Sequence, residues 1–134
     1  MKNILITGGA GLVGTVLTQG LKDKYNVKIL DKKKAEGVES HTGDISNLDS
    51  IMPAFKNIDT VVHLAGDRRV HGEWESILDN NIIGLYNIYE AARLTGVKRV
   101  IFASSQHATG GFYDVEPYSF ISKGEFEKLP NNYK

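Results

Sequence analysis

Along most of the chain, short unbroken apolar runs alternate with segments of helical apolar spacing, and this alternation predicts the elements. Ile4-Leu5-Ile6 stops at Thr7-Gly8-Gly9, as a strand buried on both faces does. From Gly11 onward, Leu12, Val13, Val16, Leu17 and Leu21 recur at helical spacing until Lys22 and Lys24, cations suited to a helix C-terminus. Val27 to Leu30 reads as a second strand, followed by a polar link from Lys32 to Gly37 and a weak third strand from Glu39 to Thr42. Ser46 with Asp49 has the form of a capping box with Asp in the Glu/Gln place, predicting a helix through Ile51, Met52, Ala54 and Phe55. Thr60 to Leu64 is a fourth strand and Val100 to Ala103 a fifth. Between them Glu75 to Thr95 reads as the longest helix, with Ile77, Leu78, Ile82, Leu85, Ile88, Tyr89 and Ala92 in one stripe and Gly96 as its stop.

Such alternation predicts an α/β fold: a parallel sheet of about five strands with right-handed crossovers and helices on both faces. After Ser105 no period is sustained, so the expected division is an α/β domain over residues 1–105 and an irregular segment over 106–134. A chain of 134 residues is long enough for one domain with a real core. Lysine plus arginine, 16, equals aspartate plus glutamate, 16, which removes the broad positive field of a nucleic-acid binder; any anion site must be local. The absence of cysteine rules out disulfides and thiolate metal sites, and no metal is expected. No apolar stretch is long enough for a signal peptide or a membrane span, so a cytoplasmic protein without a membrane partner is expected.

The chemistry begins at Thr7-Gly8-Gly9-Ala10-Gly11-Leu12-Val13-Gly14, which lies between a predicted strand and a predicted helix, the context in which this spacing carries weight. Gly8 suits a tight turn, Gly11 leaves a pyrophosphate free to approach the backbone, and Gly14 lets helix and strand come close, with helix amides facing the phosphates. Asp31 stands seventeen residues after Gly14, at the end of the second strand, where a carboxylate can accept both adenosine ribose hydroxyls. These residues predict a Rossmann-type dinucleotide site that prefers NAD to NADP. A 2′-phosphate beside Asp31 would be repelled, and Lys32-Lys33-Lys34 either offset that repulsion or form a solvated loop.

With those residues in place the chain resembles the extended short-chain dehydrogenase/reductases, the NAD-dependent epimerase/dehydratase family, over about residues 1–113. The family's TGxxGxxG is Thr7 to Gly14 and its acidic strand end is Asp31. Its GD[IL] is Gly43-Asp44-Ile45, its H-x-A-[AG] is His63-Leu64-Ala65-Gly66, and its N-x-x-G is Asn81-Ile82-Ile83-Gly84. The resemblance implies NAD contacts at Gly8, Gly11, Leu12, Val13, Gly14, Asp31, Asp44, Ile45, Leu64, Ala65, Gly66 and Asn81. On physical grounds Asp44 either accepts the adenine amino group or is a turn aspartate, and Ala65 and Gly66 are small where a nicotinamide ribose must pass. His63 reads first as a satisfied core histidine. Asn81, polar inside an apolar helix, either buttresses that helix or steadies the catalytic region.

Ser104-Ser105 ends the fifth strand at the edge where open α/β sheets place ligands, and the resemblance implies that Ser105 hydrogen-bonds the reacting oxygen. Phe102 to His107, with Gly111-Phe112-Tyr113, most resembles the uronate dehydrogenase branch, which oxidises hexuronic acids. That implies substrate contacts from Ser104, Gln106 and His107, against the plainer reading of a polar loop. The family's chemistry also needs Tyr-x-x-x-Lys, one helical turn apart. Tyr118 and Lys123 are five residues apart, and Ser119 stands four before Lys123. Either Tyr118 and Lys123 form a distorted dyad, or the chain ends before the motif and the substrate domain; the second reading is preferred. It leaves the fifth strand as an open edge with exposed apolar surface. The expectation is therefore the NAD-binding part of an oxidoreductase or epimerase that acts by hydride transfer on a sugar, uronate or nucleotide-sugar, inactive alone. The alternative is a non-catalytic dinucleotide-binding sensor or scaffold. The resemblance also implies a homodimer through helices including the long one, whose stripe is equally explained by packing on the sheet.

Overall fold

The computed structural model describes residues 1–69, 71–105, 108, 110 and 113–133, and within them two compact units, Met1–Ala103 and Ser104–Lys134. In the first, β1 (Asn3–Thr7), β2 (Asn26–Asp31), β3 (Glu39–Thr42), β4 (Thr60–His63) and β5 (Arg99–Phe102) form one sheet in the order β3-β2-β1-β4-β5. Every pairing is parallel, with Ile6 opposite both Ile29 and Val62. The chain leaves β1 towards β2 and β3, then returns to the other side for β4 and β5. The strand order thus reverses beside β1, and an open α/β sheet binds its ligand at the carboxyl ends where this happens.

Strand side chains alternate between two apolar layers. On one face Leu5, Leu30 and Val61 pack with Ile51 of α2 (Leu48–Ile51), Phe55 of the following 3-10 turn (Met52–Phe55), and Ile88, Ala91 and Ala92 of α4 (Gly84–Thr95). On the other, Ile4, Ile6, Val27 and Val62 are covered by Leu17 and Leu21 of α1 (Leu12–Leu21), with Tyr25 and Leu64. Among the described residues, no helix is long and apolar enough to cross a membrane.

Three expectations need correction. The apolar stripe of α1 is only half buried: Leu12, Val13 and Val16 are 77%, 63% and 68% exposed, and Leu17 and Leu21 do the packing. The capping box at Ser46 does not form. Asn47 caps α2 instead, accepting from the Ser50 amide at 3.2 Å, because Ser46 is already spent on Asp44. The long helix spans the expected stretch but in three parts: α3 (Trp74–Ile77), a π-helical segment (Leu78–Ile83) and α4. A π turn takes in one extra residue and so shifts the phase of the stripe. Ile82 and Tyr89 therefore face solvent, while Gly84, Asn87, Ile88 and Ala91 turn inwards. Gly96 ends α4 as expected, at φ 74°.

β5 is the sheet's edge in this structure, and Ile101 and Phe102 are exposed on it. Among the described residues, the second unit contains α5 (Tyr118–Ser122) and 3-10 turns at Phe126–Lys128 and Asn131–Tyr133, where the sequence showed no period. Among the described residues Ser119 and Leu129 are buried there, and the Ser122 hydroxyl donates to the Tyr113 carbonyl at 3.0 Å.

The phase shift in the long helix is testable through two neighbours. Asn87 is buried and donates to the Ile45 carbonyl at 2.8 Å, so Asn87→Leu strands that acceptor and should cost about 1–3 kcal/mol in urea unfolding. Tyr89→Ser, on the exposed side, should change stability by about 0.5 kcal/mol or less. The opposite ordering would contradict the π segment.

Candidate cofactor site

The site is built where the ends of β1 and β4 meet. Gly8 has φ +70°, and its amide donates to the Leu30 carbonyl at 2.9 Å. A Cβ at Gly8 would stand 2.7 Å from the Ala65 nitrogen, so both the conformation and the space demand glycine. In the first turn of α1, a Cβ at Gly14 would lie 2.5 Å from the Gly8 carbonyl oxygen and from the Gly9 Cα. Helix and loop are therefore in backbone contact. Gly11 is the N-cap of α1, with no side-chain hydrogen bond to the cap and no acidic residue in the first turn. The amides of that turn are left to an anion, which the helix dipole favours.

Asp31 at the end of β2 is fixed facing this loop. One carboxylate oxygen accepts from the Ala10 amide at 3.0 Å and the other from the Lys33 amide at 3.0 Å. Asp44, just after β3, accepts from the Ser46 amide at 3.0 Å and hydroxyl at 2.9 Å, and pairs with the Lys32 ammonium at 3.0 Å. Burial opposes its ionisation, but the Ser46 amide, the Lys32 ammonium and the Ser46 hydroxyl together hold the carboxyl below its ordinary pKa.

The loop after β4 is held by a second carboxylate. The side chain of Asp67 is only 7% exposed and accepts from the Arg69 Nε at 3.0 Å and the Ser76 hydroxyl at 2.6 Å. The Arg69 guanidinium first, then the Ser76 hydroxyl and the Arg69 amide, keep its carboxyl well below the usual range. Asn81 clamps the Asp67 backbone from the π segment: its Oδ1 accepts from the Asp67 amide at 2.6 Å and its Nδ2 donates to the Asp67 carbonyl at 2.9 Å. Asn81 thus ties the π segment to this loop. A Cβ at Gly66 would stand 3.0 Å from the Asn81 Oδ1, so the clamp presses directly on that glycine.

His63 stitches the same seam. A 2.6 Å hydrogen bond joins its Nδ1 to the Thr7 hydroxyl, which also accepts from the Ala65 amide at 3.3 Å, and its ring stacks on Phe102 at 5.7 Å. At 1% exposure it is the satisfied core histidine of the sequence reading, and burial pushes its pKa down to about 4.

These groups surround a cleft of about 660 Å³, within the range of small-molecule sites. Gly8, Gly11, Leu12, Val13, Gly14, Asp31, Ile45, Leu64, Ala65 and Gly66 all line it, which accounts for the exposure of Leu12 and Val13. Asp44 and Asn81 are not lining residues but hold Lys32 and Asp67, which are. Sequence reasoning missed Asp67, Arg68, Arg69, Ser76 and Asn80, all lining residues. The charged run that directly follows Gly66 was the available signal. Ser104 and Ser105 follow directly after Ala103, whose amide donates to the His63 carbonyl at 3.1 Å, and the Ser105 carbonyl accepts from the Ala108 amide at 3.0 Å. Gln106 and His107 lie outside the described residues. Tyr118 opens α5 and Lys123 caps it, a separation that places them about 140° apart around a helix rather than on one side.

A glycine loop between β1 and α1, a carboxylate at the end of β2 and a cleft at the switch point define a Rossmann-type dinucleotide fold. The profile of the NAD dependent epimerase/dehydratase family matches residues 4–132, and the chain belongs to that family. It is 37% identical over 107 residues to L-arabinose 1-dehydrogenase (NAD(P)(+)) of Haloferax volcanii, covering 80% of this chain and 42% of that one. It is 36% identical over 121 residues to uronate dehydrogenase of Agrobacterium fabrum, covering 87% of this chain and 45% of that one. The crystal structure of a uronate dehydrogenase variant from Agrobacterium tumefaciens complexed with NAD superposes with TM-score 0.74 at 37% identity, over 80% of this chain and 42% of that one. The chain thus spans less than half the length of these relatives.

The His63 seam predicts a pH dependence. The unfolded histidine binds a proton below about 6.5 and the folded one only below about 4, so stability is lost as pH falls through that window. The full loss is about 3 kcal/mol, reached below pH 4, where both states are protonated. Urea midpoints from pH 7 to 4 should fall more steeply for the wild type than for His63→Gln; parallel slopes would contradict the assignment.

Proposed function

We propose that this chain holds NAD in the cleft between the ends of β1, β2 and β4, as the cofactor-binding part of a dehydrogenase or epimerase acting on a sugar, uronate or nucleotide-sugar. The observation that carries the reading is the pairing of a side-chain-free cradle, Gly8 to Gly14, with an Asp31 carboxylate fixed to face it. The cradle leaves room for a pyrophosphate against backbone amides, and both Asp31 oxygens keep lone pairs for the adenosine ribose hydroxyls. Asp44 would take the adenine amino group, with Ile45 beside it, and Leu64, Ala65 and Gly66 the nicotinamide ribose. The bound nicotinamide would supply the hydride acceptor.

The substrate reading rests on the named relatives and on the residues that follow β5. Ser105 would hydrogen-bond the reacting oxygen, with Ser104, Gln106 and His107 holding the rest of the substrate. No tyrosine stands four residues before a lysine in these 134 residues, and Tyr118 and Lys123 diverge around α5. The function assigned to this chain is therefore to bind and orient the cofactor. A cytoplasmic location and a second copy as partner remain part of the same proposal.

Calorimetric titration of the purified chain tests the cofactor assignment. NAD should bind more tightly than NADP, and Asp31→Ala should weaken NAD by about tenfold or more, the loss of a hydrogen-bonded charge. A folded chain that binds neither, or an Asp31→Ala variant with unchanged affinity, would contradict it.

A further inference from the structure

Three lysines follow Asp31, and only the first reaches the cleft. The Lys32 ammonium lies 3.0 Å from an Asp44 carboxylate oxygen and 3.2 Å from the Asn80 Oδ1, so it is drawn away from the β2 end towards β3 and the π segment. Asn80 is itself anchored, its Nδ2 donating to the Ser76 carbonyl at 2.8 Å, and Asp44 is anchored by Ser46. Both partners are thus set in place before any ligand arrives. Asp31, on the other side of Lys32, is tied by its two backbone contacts and makes no ion pair with it among the described residues. Of the three lysines that follow Asp31, the one that reaches the cleft is therefore engaged elsewhere.

We propose that Asp44 and Asn80 act together as a retaining pair that holds the Lys32 ammonium off the ribose 2′ position, making them specificity-determining residues for NAD over NADP. This rests on the reading of the cleft as a dinucleotide site. Two effects then act in one direction. Asp31 repels a 2′-phosphate, and Lys32 can compensate only after leaving Asp44 and Asn80. Lys32 and Asp44 are 55% and 43% exposed, so the pair is a weak one, and recruitment of Lys32 is disfavoured by a small factor rather than forbidden. Removing one partner should lower the cost at which a 2′-phosphate takes the ammonium, strengthening NADPH without strengthening NADH.

Fluorescence titration of the whole chain with NADH and with NADPH, for wild type, Asn80→Leu, Asp44→Asn, Lys32→Met and the two double variants, tests this. Asn80→Leu keeps the cleft's charge and the Asp44 ion pair, and should raise NADPH affinity relative to NADH by about twofold, the low end of what one hydrogen bond contributes. Asp44→Asn also removes a negative charge, so part of its gain is independent of Lys32. In the Lys32→Met background the Asn80→Leu gain should vanish and the Asp44→Asn gain should shrink. Lys32→Met should lower the NADPH-to-NADH affinity ratio less in the wild type than in Asn80→Leu. An unchanged ratio in Asn80→Leu, or the same gain with and without Lys32, would overturn the retaining pair. Failure of wild type and every variant to bind NADH would overturn the dinucleotide reading itself, which separates the two outcomes.

Discussion

The carboxyl edge of this sheet depends on how closely two backbones approach, at Gly8 and Ala65. With 2.7 Å between a hypothetical Gly8 Cβ and the Ala65 nitrogen, the turn after β1 touches the chain leaving β4. On its other side Gly8 meets the first turn of α1, where Gly14 leaves no room for a side chain. Three segments converge on one residue without a Cβ. The Thr7 hydroxyl, bonded to His63 and to the Ala65 amide, ties the same seam from below. Were the seam opened by a methyl group, the α1 amides and the β4 end would separate, and the cleft between them would lose its shape.

From that seam outward the construction is polar. Each wall of the cleft is steadied by a carboxylate whose backbone contacts orient it: Asp31 for the glycine loop, Asp44 after β3, and Asp67 after β4. The Asp67 loop is further clamped by Asn81, which the π segment turns towards it. π turns are rare and recur at functional sites because they re-aim a side chain without ending the helix. Here the re-aimed side chain supports the loop that lines the cleft, and the cost is a shifted apolar face along α4, made good by the Asn87 bond to Ile45.

The sequence made the strands and the glycine loop legible because both rest on local patterns. A run such as Ile4-Leu5-Ile6 must be buried on both faces, and Thr7 to Gly14 has few other uses after a strand. Asp31 was found for the same reason, as an acid at a strand end. What was not legible depended on partners far away in the chain. Ser46 looked like a helix cap until Asp44 claimed both its donors, and Asn47 took its place. The stripe from Ile77 to Ala92 looked unbroken because a π turn carries no compositional mark. Lys32 looked like one of three solvated lysines, and only the positions of Asp44 and Asn80 single it out.

On the proposed reading, the seam and its carboxylates form a dinucleotide cleft already shaped for its ligand. Hydrogen–deuterium exchange of the whole chain, with and without saturating NAD, tests it most directly, since bound ligand slows exchange where it covers or steadies amides. Added NAD should protect amides around residues 8–14, 31–33, 43–45 and 64–67, and leave α2 and the exposed side of α4 unchanged. Protection confined to other segments, or none in a chain that remains folded, would contradict the account.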